Sequence, residues 1–164
     1  NLKREGSFME SFMRCISRTA RCSQLYRSER LAEVGLNGGQ YVYISNVCRN
    51  PGISQEQMSR QILINKSNVA RQLASLEQNG FVRREPDAKD RRVMRVYPTE
   101  RAMEVYPYIQ QVLADWRHYL TEDFTDEERE QLDSLLERVL EKAAAYADKR
   151  LAREKEPLEG GEKG

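Results

Sequence analysis

Ser54-Gln55-Glu56-Gln57-Met58-Ser59-Arg60-Gln61 is followed by Ile62-Leu63-Ile64-Asn65, and then by Lys66-Ser67-Asn68-Val69-Ala70-Arg71-Gln72-Leu73-Ala74-Ser75-Leu76-Glu77-Gln78-Asn79-Gly80. Ser54 and Gln57 have the spacing of a capping box, so a helix opens at Ser54. Asn65 is a suitable N-cap for the next helix. There Val69, Leu73 and Leu76 stand at i, i+4 and i+7, one buried stripe. Asn79-Gly80 ends it, with Gly80 suited to the left-handed position after a helix. The stretch Phe81 to Tyr97 then reads as two strands, about Val82–Glu85 and Val93–Tyr97, around a polar tip that includes Pro86 and Asp87. Helix, turn, helix and charged ribbon in that order is the layout of a winged helix-turn-helix.

The bulk numbers are compatible with this layout and add little to it. At 164 residues, 32% charged and 39% hydrophobic, the chain amounts to about one domain with a real core. No apolar run approaches the roughly 20 residues needed to span a bilayer. The opening residues Asn1 to Gly6 lack the apolar core of a secretory signal, so a cytoplasmic protein with no membrane partner is expected. The net charge of +1 hides an uneven distribution. Arg60 to Arg101 carries ten Lys/Arg against five Asp/Glu, whereas Thr121 to Glu141 carries two Arg against nine acids. Basic side chains in the first stretch suit phosphate neutralisation. Two solvated faces of opposite sign are the plainer alternative.

Outside the central stretch the pattern is helical. A first helix is expected over about Ser7–Leu31, with Phe8, Phe12, Ile16, Ala20 and Leu25 at helical intervals and Gly35 beyond it. Asn37 with Gln40 reads as a cap for a second helix that buries Tyr41, Ile44, Val47 and Cys48 and stops at Asn50-Pro51-Gly52. A long helix from Thr99 carries Met103, Tyr106, Ile109, Val112, Leu113, Trp116, Tyr119 and Leu120, with a kink or restart expected at Pro107. Thr125 with Glu128 caps a last helix whose stripe is Leu132, Leu135, Leu136, Val139, Leu140 and Ala143. Residues 154–164 are polar and Gly-rich and are expected to be disordered. The fold class is therefore mainly α with a small β-hairpin wing, one domain over residues 1–153 whose terminal regions pack together.

In a helix-turn-helix the second helix shows its non-core face to the major groove. Here that face holds Lys66, Ser67, Asn68, Arg71, Gln72 and Ser75. Asn68 and Gln72 can pair bidentately with adenine, Arg71 with guanine, and Ser67 with a base edge or a phosphate. Ser54, at the start of the preceding helix, joins this set as a DNA contact. The tip of the ribbon offers Lys89, Arg91 and Arg92, and arginine is favoured in a narrow minor groove. Asp90 is too short to read DNA beside them and is expected to hold one guanidinium or brace the loop. Charge on an exposed ribbon also serves to defend an edge strand.

Leu36-Asn37-Gly38-Gly39-Gln40 resembles the Leu-Thr-x-x-Gln that opens the second helix of MarR-family regulators. Pro51-Gly52-Ile53-Ser54-Gln55-Glu56-Gln57-Met58 is similar to that family's Pro-Gly-x-Ser-x-x-x-Leu. Ile64 to Arg71 and Leu76 to Arg84 resemble its recognition helix and the start of its wing, and Asp90-Arg91-Arg92 matches the Asp-x-Arg of the wing. Thr99 matches the closing Leu-Thr-x-x-Gly, although Pro98 and Ala102 replace its Leu and Gly, so the start of the fifth helix is expected to differ. The match covers roughly residues 8–150. It implies a homodimer joined by helices over about 7–31 and 99–150, each subunit carrying a DNA-binding lobe over about 36–98. The two lobes would bind a pseudo-palindromic site in double-stranded DNA, with Arg92, partnered by Asp90, in the minor groove. It further implies a repressor released by a small phenolic or lipophilic effector, for which Phe12, Ile16, Tyr41, Ile44 and Tyr108 are candidate lining residues.

One branch of the family senses peroxides through a cysteine on the first helix, and Cys15 is similarly placed, so a redox-sensing regulator is the alternative. A winged-helix protein-interaction module is a more distant one. A buried structural cysteine is the simpler reading of Cys15. Cys15, Cys22 and Cys48 form no metal-ligand pattern, and no metal or cofactor is expected. Cys15 and Cys22 lie about 10 Å apart along one helix, too far for a disulfide. The single histidine, His118, has no nucleophile motif beside it, and an enzyme is not expected.

Overall fold

The computed structural model describes the backbone of residues 2–153 and the side chains of residues 11–149. The expected disordered tail, 154–164, and the side chain of Phe8 lie outside these residues. In chain order the elements are α1 Leu2–Ala32, α2 Tyr41–Arg49, β1 Ile53–Ser54, α3 Gln55–Ile62, α4 Lys66–Gln78, β2 Val82–Pro86, β3 Met94–Pro98, α5 Glu100–Leu120 and α6 Asp126–Arg153. The mainly helical architecture with a small wing is as expected.

The expected hairpin has a third strand. Gly52, at φ 85°, donates its N–H to the Val96 carbonyl and turns the chain so that Ile53 and Ser54 pair with Val96 and Arg95. The sheet order is β1-β3-β2, all antiparallel, with Arg84 opposite Val96 at its middle. Val96 is fully buried in the central strand.

The core lies where α2, α3, α4, the sheet and α5 converge. Ile44, Val47, Met58, Val69, Leu73, Leu76, Phe81 and Ile109 are each 0% exposed. Truncating a residue such as Leu73 to Ala would cost about 2–5 kcal/mol. The stripe read for α4 is therefore correct residue by residue. For α2 it is less so. The helix begins at Tyr41, after a tight turn in which the Gln40 N–H donates to the Asn37 carbonyl. Tyr43 and Ser45 are buried, while Tyr41 and Cys48 are only half-buried.

Helix α5 runs on through Pro107 without restarting. Proline removes one N–H from the helix. Pro107 and Met103, whose carbonyl loses that donor, are both exposed, so water can replace the bond. The start of α5 is regular despite Pro98 and Ala102. Thr99 caps it, accepting from the Ala102 N–H, while its hydroxyl donates to the Gly80 carbonyl at 2.7 Å.

The terminal regions meet through α1 and α5. Helix α1 docks on α5 through Trp116, which stacks on Tyr26 and donates to Ser23 Oγ at 2.8 Å. Helix α6 is tied at its base, where Arg129 donates twice to the Thr121 carbonyl and Arg117 pairs with Asp133. Its stripe residues Leu135, Leu136, Val139 and Leu140 remain exposed, as do Phe12, Met13, Ile16 and Leu25 on α1. A contiguous run of such residues on long helices marks an association surface.

Candidate nucleic-acid interface

The turn between α3 and α4 is set by two devices. Leu63 takes the left-handed conformation at φ 54°, which costs a non-glycine residue roughly 1–2 kcal/mol. Ser59, buried beneath it, donates its hydroxyl to the Ile64 carbonyl at 2.6 Å, and its own carbonyl accepts from Leu63 and Ile64. Asn65 then caps α4, its Oδ1 accepting the Asn68 N–H at 2.8 Å. Both expected capping residues of this unit hold, the Ser54–Gln57 box in both directions.

On α4 the outward face carries Lys66, Ser67 and Arg71 fully at the surface, with Asn68, Gln72 and Ser75 half-buried beside them. These groups are not independent. Arg71 donates to Asn68 Oδ1 at 3.0 Å, and Lys66 pairs with Glu56 of α3, which also holds Arg60. Gln72 Oε1 faces the protein and accepts from Gln40 Nε2 at 3.5 Å. Ser54 does not belong to this face. It is 7% exposed and its hydroxyl oxygen accepts the Gln57 N–H, so it starts α3.

The wing is braced by carboxylates. Asp87 Oδ1 accepts from the Lys89 and Asp90 N–H groups, and its Oδ2 accepts from Arg95 Nε at 2.8 Å. These bonds hold the Asp87 carboxyl below the usual aspartate range. Asp90 grips Arg92 three times, through the backbone N–H at 3.1 Å, Nε at 3.0 Å and Nη2 at 2.9 Å. The Arg92 guanidinium beside it likewise holds Asp90 low. Asp90 thus does both things expected of it, steadying the guanidinium and the loop. The Arg92 side chain is 90% exposed, so the charge is oriented but not covered.

Much of the basic excess is spent inside the protein. Arg84 is clamped by Glu77 of α4, Arg83 pairs with Glu85 and lies over the Tyr97 ring, and Arg101 donates to the Asn79 carbonyl. Among the described residues, Lys89 and Arg91 have no ion-pair partner, and they stand just before Arg92 at the tip. The Glu77–Arg84 clamp was not foreseen, because its partners are separated by a turn.

The five candidate effector residues are not gathered into one site within the chain. Ile44 is sealed in the core, Tyr41 lies under the Arg27 guanidinium, and the Tyr108 hydroxyl reaches the Arg30 carbonyl and Glu33. Phe12 and Ile16 are exposed, and Ile16 lies about 20 Å along α1 from Arg30 at 1.5 Å per residue. Cys15 and Cys22 are exposed free thiols. Cys48 is partly covered, and that burial pushes its thiol pKa up, away from reactivity.

A sequence model of the MarR family matches residues 34–93, the span from the end of α1 to the wing tip. The helix-turn-helix-type transcriptional regulator YybA of Bacillus subtilis (strain 168) is 30% identical over 131 residues, 80% of this chain and 87% of its own length. The crystal structure of the transcriptional regulator SlyA superposes with a TM-score of 0.80 at 30% identity, covering 84% of this chain and 96% of that one. A Listeria monocytogenes MarR-family regulator, solved with a 26mer DNA, has the same fold at a TM-score of 0.80 and 24% identity, covering 90% of this chain and 97% of its own. Sequence and architecture agree, and the chain belongs to the MarR family of winged helix-turn-helix transcriptional regulators.

Proposed function

We propose that this regulator works as a homodimer that binds a pseudo-palindromic site in double-stranded DNA and represses by occluding a promoter. The observation that carries this is the pairing of two readers on one rigid lobe. The polar face of α4 offers Asn68, Arg71 and Gln72 to a major groove, and the Asp90-oriented Arg92 projects from the wing toward the neighbouring minor groove. Lys66, Lys89 and Arg91 supply phosphate contacts. The exposed apolar residues of α1 and α6 are the surface through which two copies join. Two lobes must then fall about one helical turn apart, roughly 34 Å, to dock together.

Release by a small phenolic or lipophilic ligand fits the same geometry, since Tyr41 of α2 and Tyr108 of α5 both face α1 where the lobe meets the long helices. A ligand that separates them changes the spacing of the two lobes. No observation favours the redox reading over this one.

Fluorescence anisotropy with duplexes from the DNA flanking the gene, at several salt concentrations, tests the reading. Specific binding with a steep salt slope is expected, released by some member of a panel of small phenols. Absence of duplex binding at low salt would sink it. Sedimentation of Leu136→Glu and Leu140→Glu is expected to show monomers that have lost tight binding.

A further inference from the structure

A chain of hydrogen bonds leads from a backbone amide to the reading face, and a backbone N–H fixes its direction because it can only donate. The Asn37 N–H donates to Gln40 at 3.0 Å, so the atom it meets is the Gln40 oxygen. The other end of that side chain, the Gln40 NH2, faces Gln72 and donates to its oxygen at 3.5 Å. Gln40 is 5% exposed, so neither end is free to turn over in water. The loop that carries it cannot drift either. A Cβ on Gly38 would lie 2.4 Å from Ser28 Oγ and 2.8 Å from its backbone nitrogen, and Arg27 donates to the Gly38 carbonyl at 3.1 Å.

We propose that Gln40 is a positioning residue for base readout: it holds Gln72 with its carbonyl oxygen inward and its NH2 toward the groove, so that Gln72 reads a base acceptor. The favoured partners are guanine O6 or N7 and thymine O4. Adenine offers N7 beside an N6 donor, and cytosine offers only the N4 donor, so both meet a lone NH2 less well. This replaces the bidentate adenine pairing expected for Gln72, which needs its oxygen in the groove. The inference rests on the DNA-reading assignment above.

The test is selection of binding sites from a pool of random duplexes by the full chain and by Gln72→Ala, Gln40→Met and Gln40→Glu. At the position that Gln72→Ala renders indifferent, wild type is expected to prefer guanine or thymine over adenine or cytosine by about tenfold. Gln40→Met keeps the volume but breaks the relay, and the preference should shrink to about threefold or less. Gln40→Glu offers Gln72 an acceptor instead of a donor, which turns the amide over and moves the preference to adenine or cytosine. A role confined to holding the loop would weaken binding without inverting it. If Gln40→Glu does not fold, the other two variants still decide. Wild-type preference for adenine at that position, or unchanged preference in Gln40→Met, overturns the relay alone. Failure of wild type to select any sequence overturns both the relay and the DNA-reading assignment.

Discussion

Glu77 Oε2 accepts from both Nε and Nη2 of Arg84, at 2.9 and 2.7 Å, while Glu77 Oε1 accepts the Arg84 backbone N–H at 2.8 Å. The last full turn of the recognition helix is thereby fastened to the first strand of the wing. Arg84 also donates to Gln55 of α3 at 3.4 Å, so all three parts of the reader meet at one guanidinium. Charge that looks available for DNA is here used to join α4 to the wing.

Glu77→Ala is expected to lower stability by about 1 kcal/mol, since the pair is partly exposed and solvent discounts it. That is a fall of about 2–4 °C in melting temperature for a domain of this size. DNA affinity should fall further than stability does, with the major-groove preference kept. Thermal melts beside binding titrations check this, and equal affinity in the variant would show that the clamp does not position the wing.

Arg92→Ala should weaken binding to all sequences and reduce the salt slope by about one. Asp90→Asn acts differently. Removing its negative charge raises binding to random duplex, while the loosened Arg92 lowers the ratio of specific to random binding. Titrations of one cognate and one scrambled duplex separate the two effects.

Gly38→Ala and Gly80→Ala distinguish crowding from backbone strain. At Gly38 a Cβ meets the backbone nitrogen of Ser28 at 2.8 Å, and the expected loss is about 1–3 kcal/mol as α1 and the loop are pushed apart. At Gly80, φ is 74° and nothing lies within 4 Å, so only the left-handed strain of roughly 1 kcal/mol applies. Denaturant midpoints should rank Gly38→Ala below Gly80→Ala, and the reverse order would refute the close approach.

Strong acid should loosen the wing. Asp87 and Asp90 both titrate below the ordinary aspartate value of 3.8. A depressed folded-state value means that the stabilisation is complete above that ordinary value and is lost as pH falls through the folded one. NMR signals of the Lys89, Asp90 and Arg92 amides should therefore shift together below pH 3.8, and in Asp87→Asn the first two should move at neutral pH already.

Features whose partners lie within a few residues were legible in the sequence. The Ser54–Gln57 box, the Asn65 cap and the Asp90–Arg92 grip all span three residues or fewer, and each formed as read. Strand β1 was not legible, because two residues show no alternation and their pairing depends on the turn at Gly52. Gln40 and Gln72 are 32 positions apart, and only the folded lobe brings them together. A serine at a helix start has the same spelling whether it caps or makes a contact, and the fold shows Ser54 as the cap. The stripes of α1 and α6 were recognised as apolar faces, but periodicity does not say whether the covering surface belongs to the same chain.

A few small contacts have a long reach. Helix α6 extends for 28 residues, about 42 Å at 1.5 Å per residue, yet its base is held by Arg129 on the Thr121 carbonyl and by Asp133 on Arg117. That base is a pivot, and the helix is a lever arm. A tilt of about 5° at the pivot swings the far end by roughly 4 Å. In a dimer joined through such arms, the gauge between the two reading heads is geared to the few contacts at that base.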